Sequence, residues 1–184
     1  KKSKDEKFLP YTRDEKTLAR EWGLPGTPGL EHRIGGLEKA AVSGNVSYEA
    51  DNHNYMVKLR QEKIDVIADF IPELEVYGNP KGELLVLSWG GTYGACRAAV
   101  QKANENNMSV SHINLKYINP FPKNLAEILL KFNKVLIPEI NLGQLSTIIR
   151  SKFLIDTFNF NRVSGKPYTT TDIYEKIEQI IEES

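Results

Sequence analysis

The chain has 184 residues and carries 24 lysines and arginines against 24 aspartates and glutamates. This zero formal net charge argues against a nucleic-acid or anionic-membrane binder, which needs a basic surplus to displace counterions. The single cysteine, Cys96, excludes a disulfide framework, a thiolate zinc site or an iron–sulfur cluster built by this chain alone. With no signal-peptide pattern and no apolar run of roughly 20 residues, we expect a cytoplasmic protein.

Residues 1–51 predict an extended arm or interdomain connection. They show no helical or strand periodicity and are rich in glycine and proline, whereas a compact domain rarely contains so long an irregular stretch. Large apolar side chains such as Phe8, Trp22 and Ile34 are too frequent for a disordered tail, so we expect the arm to pack on a surface. Because Lys1 is not preceded by an initiator methionine, we also expect the chain to be a piece of a longer protein.

Residues 52–184 predict a three-layer α/β/α domain. A helix capped by Asp51 or Asn52 is followed by short apolar strands that alternate with amphipathic helices. Strands are predicted at 84–88, 110–117, 135–137 and 157–163, and helices at 92–106, after Asn124, after Gly143 and from Thr171. The last strand alternates imperfectly, which is typical of a sheet edge. Four such βα units imply a mainly parallel sheet covered on both faces.

A glycine-rich turn follows the first of these strands, in the sequence Gly90-Gly91-Thr92-Tyr93-Gly94. At the carboxyl end of a parallel strand, its backbone amides could hold an anion. The spacing fits neither the dinucleotide fingerprint nor the P-loop, and residues 114–116 lack the acidic residue that a dinucleotide site needs. A tight turn closed by Thr92 is therefore the favoured interpretation.

A second polar group, Glu139, Asn141, Gly143 and Gln144, follows the strand at 135–137 at the same end of the predicted sheet. A carboxylate there could act as an acid or base, cap the next helix, or pair across an interface. No histidine, metal ligand or second carboxylate lies nearby in sequence, so the interface interpretation is favoured.

The histidines and the cysteine give weaker signals. His32 and Arg33, in the arm, could bind an anionic substrate, but a lone histidine is more often a packing residue. His53 and His112 are isolated and give no ligand spacing. Cys96 lies on the apolar face of its predicted helix, together with alanine and valine, and is expected in the core.

Four segments carry a resemblance to a known family. They are FLPYTRDEKTLAREWGLPGTPGLEHRIGGLEK at 8–39, LSWGGTYGA at 87–95, YINPFPKNL at 117–125 and IPEINLGQLSTIIRSKFL at 137–154. In this order they resemble the carboxyl-terminal part of the α subunit of 2-oxoacid:ferredoxin oxidoreductases, and especially the 2-oxoglutarate members. The resemblance runs from about Phe8 to the end of the chain.

The resemblance implies a multisubunit enzyme that oxidatively decarboxylates a 2-oxo acid to an acyl-CoA. Thiamine diphosphate, Mg²⁺, an iron–sulfur cluster and coenzyme A would serve the whole complex, with ferredoxin as electron acceptor. The implied fold is that of the transketolase carboxyl-terminal domain, a mixed five-stranded sheet with helices on both faces. Its one antiparallel strand would lie at 157–163 or at 75–77.

No catalytic residue can be carried over from the family. The pyrimidine-binding motif is absent, and the metal–diphosphate motif and cluster cysteines of this family belong to the thiamine-binding β subunit. We therefore expect a fragment that serves assembly, binds no cofactor and is inactive alone, with partners in the β subunit and the rest of the α subunit. The residues expected at interfaces are Gly90, Gly91, Thr92, Tyr93, Glu139, Asn141, Gly143, Gln144, His32 and Arg33.

Two other functions stay open from the residues alone. One is an independent nucleotide- or CoA-binding module that uses the turn at Gly90. The other is a regulatory or scaffold domain of an unrelated complex, in which the arm folds on binding.

Overall fold

The structure, a computed structural model, describes residues 7–183. The first six residues of the predicted arm and Ser184 lie outside the described residues. Contacts within the chain define two compact units, which adjoin in sequence between Phe70 and Ile71. The helix that the sequence places at the start of the α/β domain is grouped with the first unit. Across residues 7–183, every helix is too short or too polar to span a membrane.

The first unit is irregular up to its only long helix in the described part. Isolated antiparallel bridges, such as that between Tyr11 and Val42, join turns of the arm. Helix α1, Ala50–Asp65, follows and ends in a short 3₁₀ turn.

Helix α1 begins after Glu49, so the predicted cap at Asp51 or Asn52 is wrong. The amide of Asn52 is engaged elsewhere: its Nδ2 donates to the carbonyl of Lys39 at 2.9 Å, and its Oδ1 accepts a backbone N–H of the same turn at 3.0 Å. Through these two hydrogen bonds, the Asn52 side chain connects the arm to α1. A side chain used in that way cannot also satisfy the free N–H groups of the first helical turn.

The second unit contains the predicted sheet. Its strands are β1, Gly82–Trp89, β2, Val110–Leu115, β3, Phe132–Glu139, and β4, Phe158–Asn161. They lie in the order β2-β1-β3-β4 and are all parallel, with β4 at an edge as expected. The helices are α2, Tyr93–Glu105, α3, Leu125–Leu129, α4, Gln144–Phe153, and α5, Thr170–Glu182.

Helices cover both faces of this sheet, which confirms the three-layer α/β/α prediction. On one face α2 and α5 bury an apolar cluster that includes Leu84, Val86 and Val110. On the other face α3 and α4 pack over a second cluster that includes Leu85 and Ile113. Alternate residues of the two central strands, β1 and β3, therefore enter different cores, which explains their apolar runs at 84–87 and 135–137.

The prediction of five strands is wrong, because the sheet formed by the described residues has four. Strand β4 pairs parallel to β3, so it is not the antiparallel strand. Residues 75–77 lie where an antiparallel strand was expected, but only Tyr77 pairs with β2, through two hydrogen bonds of 2.9 Å with His112. The backbone N–H and C=O of Leu74 bind the side chain of Asn124 instead, at 3.0 and 2.9 Å. This contact draws the segment away from the sheet edge.

A capping box begins α5 and gives a testable stabilising contact. Thr169 Oγ1 accepts the Asp172 N–H at 3.1 Å, and the Asp172 carboxylate accepts the Thr169 N–H at 2.8 Å. We expect Thr169→Ala to lower the free energy of unfolding by about 1 kcal/mol, because it removes the acceptor at the helix start.

Urea unfolding checks this expectation. Of the two tryptophans, Trp22 lies in the first unit and Trp89 in the second. In a Trp22→Phe background, Trp89 fluorescence therefore reports the second unit. Thr169→Ser keeps the hydroxyl and should remain within a few tenths of a kcal/mol of its parent. Equal losses in the two variants would show that the hydroxyl does not cap the helix.

Candidate functional site

The core beneath α2 changes from apolar to polar toward the carboxyl ends of β1 and β2. On β1, Ser88 follows Val86, and on β2, His112 and Asn114 follow Val110. Alternate residues of a strand share a face, so these polar side chains point to the same face as the valines. The strand register sets Val86 beside His112 and Ser88 beside Asn114. The polar group is therefore formed by neighbouring positions of two adjacent strands.

Hydrogen bonds fix the orientation of the His112 ring. Ser88 Oγ lies 2.7 Å from His112 Nε2 and donates to Asn114 Oδ1 at 3.0 Å. Because the hydroxyl proton is directed to Asn114, Nε2 carries the proton donated to Ser88. His112 Nδ1 is then left as an acceptor, and within residues 7–183 it makes no hydrogen bond.

The imidazole of His112 is neutral at pH 7. Only 2% of this residue is exposed. Burial, assisted by the positive charge of Arg97, lowers the pKa of His112 to about 4. A neutral imidazole in this tautomer offers a hydrogen-bond acceptor and no positive charge.

A cleft with a volume of about 760 Å³ opens beside this group, within the second unit. One wall is formed by residues 72–77, which diverge from β2 beyond the single bridge at Tyr77. The opposite wall is formed by β2 and the start of α2. This volume is typical of clefts that bind small molecules. The polar and aromatic side chains that line it include Glu75, Tyr77, Tyr93, Arg97, His112 and Lys116.

Cations and aromatic rings from both walls are combined in the cleft. The Arg97 guanidinium lies over the Tyr77 ring, and the Tyr93 ring lies 5.8 Å from the His112 ring. Within residues 7–183, neither Arg97 nor Lys116 is paired with a carboxylate. The arrangement can therefore accept an anion together with a planar group.

Only part of the glycine-rich turn faces this cleft. Gly90 and Tyr93 line it, and Gly90 adopts a φ of +55°, which glycine tolerates without strain. Thr92 is buried and closes the turn: its Oγ1 accepts the Trp89 N–H at 3.2 Å and donates to the Trp89 carbonyl at 2.9 Å. Gly91 lies next to Ile140, which links this turn to the loop after β3.

The second predicted group forms the start of α4 and does not line the cleft. Glu139 is fully buried, and its two carboxylate oxygens accept the N–H groups of Leu145 and Ser146 at 3.0 and 2.9 Å. Asn141 Oδ1 accepts the N–H groups of Gly143 and Gln144 at 2.7 and 3.3 Å.

These bonds identify Glu139 as the carboxylate cap of α4. Of the three roles that the sequence left open, capping is the one that its contacts in the described residues support. A negative charge at this position also complements the positive end of the helix dipole.

His32 and Arg33 belong to the first unit. His32 Nδ1 donates to the Leu30 carbonyl at 2.9 Å, and its ring meets Phe8 edge-on at a centroid distance of 5.3 Å. These contacts agree with a packing role for the histidine. Arg33 is exposed.

Sequence reasoning missed the central residue of the cleft, His112. The sequence does not indicate a binding role for His112, because no second ligand-type residue occurs near it in sequence. A signal did exist in the pairing of the first two strands, since Ser88 and His112 are polar residues in otherwise apolar strands. Arg97 could also have been predicted near this site from sequence, because it lies one helical turn after Tyr93, on the same face of α2.

The described residues do not fit a metal–diphosphate site or an iron–sulfur cluster. Residues 7–183 contain no group of three or more histidine, cysteine, aspartate and glutamate side chains that could hold a metal ion. Cys96 lies on the buried face of α2, where burial raises the pKa of its thiol to about 12.

Sequence comparisons match this chain to subunits of 2-oxoacid oxidoreductases. The family model described as "Pyruvate:ferredoxin oxidoreductase core domain II" matches residues 82–173, half of the chain. The 2-oxoglutarate oxidoreductase subunit KorA of Mycobacterium tuberculosis is 49% identical over 170 residues, which are 91% of this chain and 26% of that relative. The α subunit of 2-oxoacid:ferredoxin oxidoreductase 1 of Sulfurisphaera tokodaii is 26% identical over 146 residues, 76% of this chain and 23% of that relative.

A solved structure supports the same comparison. The 2-oxoglutarate:ferredoxin oxidoreductase of Magnetococcus marinus, determined with 2-oxoglutarate, coenzyme A and succinyl-CoA bound, superposes with a TM-score of 0.87 at 27% sequence identity. The match covers 97% of this chain and 31% of that chain. The chain thus spans a quarter to a third of the length of these relatives.

Proposed function

Because this chain belongs to the pyruvate:ferredoxin oxidoreductase core domain II family, we propose that it forms part of the α subunit of a 2-oxoglutarate:ferredoxin oxidoreductase. The observation that carries this proposal is the 49% identity to the Mycobacterium tuberculosis 2-oxoglutarate oxidoreductase subunit along 91% of the chain. The whole enzyme would convert 2-oxoglutarate and coenzyme A to succinyl-CoA and carbon dioxide in the cytoplasm. The two electrons released would pass to ferredoxin.

Within that enzyme, the role of this chain is assembly. Thiamine diphosphate, Mg²⁺ and the iron–sulfur cluster belong to the thiamine-binding β subunit and the remainder of the α subunit, which are its partners. Residues 1–51 act as an arm that runs along these partners, and residues 52–184 act as the α/β domain.

Exposed apolar side chains support this role. In the first unit Trp22 and Ile34 are 87% and 86% exposed, and in the second unit Leu142 is 80% exposed. Large apolar groups left in water are typical of surfaces that are covered in an assembly. Leu142 lies between Asn141 and Gly143 in the loop that the sequence assigns to an interface. Buried Glu139 would support such an interface by holding that loop, not by touching the partner.

Co-expression tests the proposal. A tagged 184-residue chain should copurify with the thiamine-binding β subunit and the remainder of the α subunit. The complex should reduce ferredoxin in the presence of 2-oxoglutarate and coenzyme A, and the tagged chain alone should not. Turnover by the isolated chain would contradict an assembly role, and failure to form any complex would favour a scaffold domain of another assembly.

Point variants locate the surface. Ile34→Asp and Leu142→Asp should each reduce recovery of the complex at least tenfold, because each places a charge in a contact that must exclude water. Ser164→Asp is the matched control, because it adds the same negative charge at an exposed polar residue and removes no apolar contact. Equal recovery with all three variants would show that these apolar side chains do not form the interface.

A further inference from the structure

The geometry points to the cleft beside α2 as a binding site for an adenine nucleotide. It is formed entirely by the second unit, so binding requires none of the partners of the proposed enzyme.

The base would be recognised by His112. Its ring is fixed through Ser88 and lines the cleft, where Nδ1 is an acceptor that makes no hydrogen bond within the described residues. Adenine carries an exocyclic amine, which is a donor, whereas guanine and uracil carry carbonyl oxygens at the corresponding position. The half-exposed ring of Tyr93, 5.8 Å from the His112 ring, supplies an aromatic face for stacking.

The phosphates would be bound by Arg97 and Lys116. Arginine binds phosphate through two parallel hydrogen bonds, and the Tyr77 ring beneath the guanidinium holds it in place. Gly90 borders open space, because a Cβ built there meets nothing within 4 Å, so a ligand can approach its backbone. These groups share the α2 and β2 side of the cleft.

The ribose would be bound by Glu73 and Glu75 on the opposite wall. Carboxylates accept hydrogen bonds from ribose hydroxyls, a role taken in dinucleotide folds by an acidic residue after the second strand. Residues 114–116 of this chain lack that residue, which argues against a nucleotide at the level of sequence. The structure supplies two carboxylates from the segment before β1 instead. Their charge also repels phosphate from that wall and so favours one orientation of the ligand.

Calorimetry on the 184-residue chain tests the site with ADP, coenzyme A, GDP, adenosine and inorganic pyrophosphate. ADP and coenzyme A share an adenosine diphosphate group, and both should bind with submillimolar dissociation constants. GDP, adenosine and pyrophosphate should each bind at least tenfold more weakly, since each lacks one recognised part. Absence of heat at millimolar ADP, or equal affinity for ADP and pyrophosphate, would overturn the assignment.

Variants separate the parts of the site. Arg97→Met keeps the apolar stem, and Lys116→Glu changes an exposed residue, so neither should disturb folding. Each should weaken ADP binding at least tenfold. Lys166→Glu, on an exposed loop, is the charge-matched control and should leave ADP binding unchanged. His112→Asn should weaken ADP but not pyrophosphate, with Trp89 fluorescence used to show that the second unit is folded. If Lys116→Glu and Lys166→Glu weakened ADP binding equally, the effect would be due to the net charge of the protein, which would contradict a specific site.

Discussion

Replacement of Glu139 by alanine is expected to lower the free energy of unfolding of the second unit by about 3 kcal/mol. The side chain is fully buried and accepts the N–H groups of Leu145 and Ser146. Without it, two buried donors at the start of α4 lose a charged acceptor, which costs more than an exposed helix cap does. The helix also loses the negative charge beside its positive end.

Urea unfolding followed by Trp89 fluorescence in the Trp22→Phe background measures this loss. Glu139→Gln retains one acceptor oxygen but places an amide donor against a backbone donor, so we expect about 2 kcal/mol. The matched control is Glu127→Ala, which removes an exposed glutamate whose partner is Lys131, four residues later and just beyond α3. That change should cost less than about 0.5 kcal/mol. If Glu139→Ala were no worse than Glu127→Ala, the buried carboxylate would not hold α4.

The elements predicted best from sequence are those whose pattern is set by burial. In α2, the predicted face of Cys96, Ala99, Val100 and Ala103 is fully buried, because the small side chains recur at helical spacing. Strands β1 and β3 likewise contain their predicted apolar runs at 84–88 and 135–137. Burial between two layers of helices demands apolar residues on both faces of a strand, and such residues are visible in sequence.

The predictions of a helix cap by asparagine and of a fifth strand were wrong for a common physical reason. An asparagine at a helix start is locally a good cap, but Asn124 binds the backbone of Leu74, fifty residues earlier in the chain. That contact occupies the Asn124 side chain, which therefore does not cap α3, and only Tyr77 of residues 75–77 pairs with β2. Local patterns carry no information about partners so distant in sequence, so neither outcome could be predicted.

In the candidate site too, local sequence predicts some residues, while the role of others depends on contacts between distant parts of the chain. Gly90 and Tyr93 could be predicted near a cleft because a turn at the carboxyl end of a parallel strand is a usual ligand position. His112 could not, because its significance depends on the register that brings Ser88 of another strand to within 2.7 Å. The location of Glu139 at the end of its strand was likewise evident, but only its two hydrogen bonds distinguish a helix cap from an acid or base.

Acidification should weaken the second unit through His112. With an ordinary pKa of 6.5 when unfolded and about 4 when folded, His112 binds more protons in the unfolded state between these values. Its contribution to stability is thus complete above pH 6.5 and is lost as the pH falls toward 4. At about 1.4 kcal/mol per pH unit, the free energy of unfolding should fall by about 3 kcal/mol between pH 7.5 and pH 4.

The cause of this dependence is desolvation, which the surroundings of the ring do not offset. Arg97 of α2 and Lys116, which directly follows β2, add positive charge, while Glu73 and Glu75 lie on the far wall of the cleft. Protonated His112 would therefore gain no close carboxylate partner. Urea unfolding of the second unit at several pH values should give a steep slope in the parent and a shallow one in His112→Asn, which has no group that titrates there. Parallel slopes in the two proteins would assign the acid sensitivity to other residues.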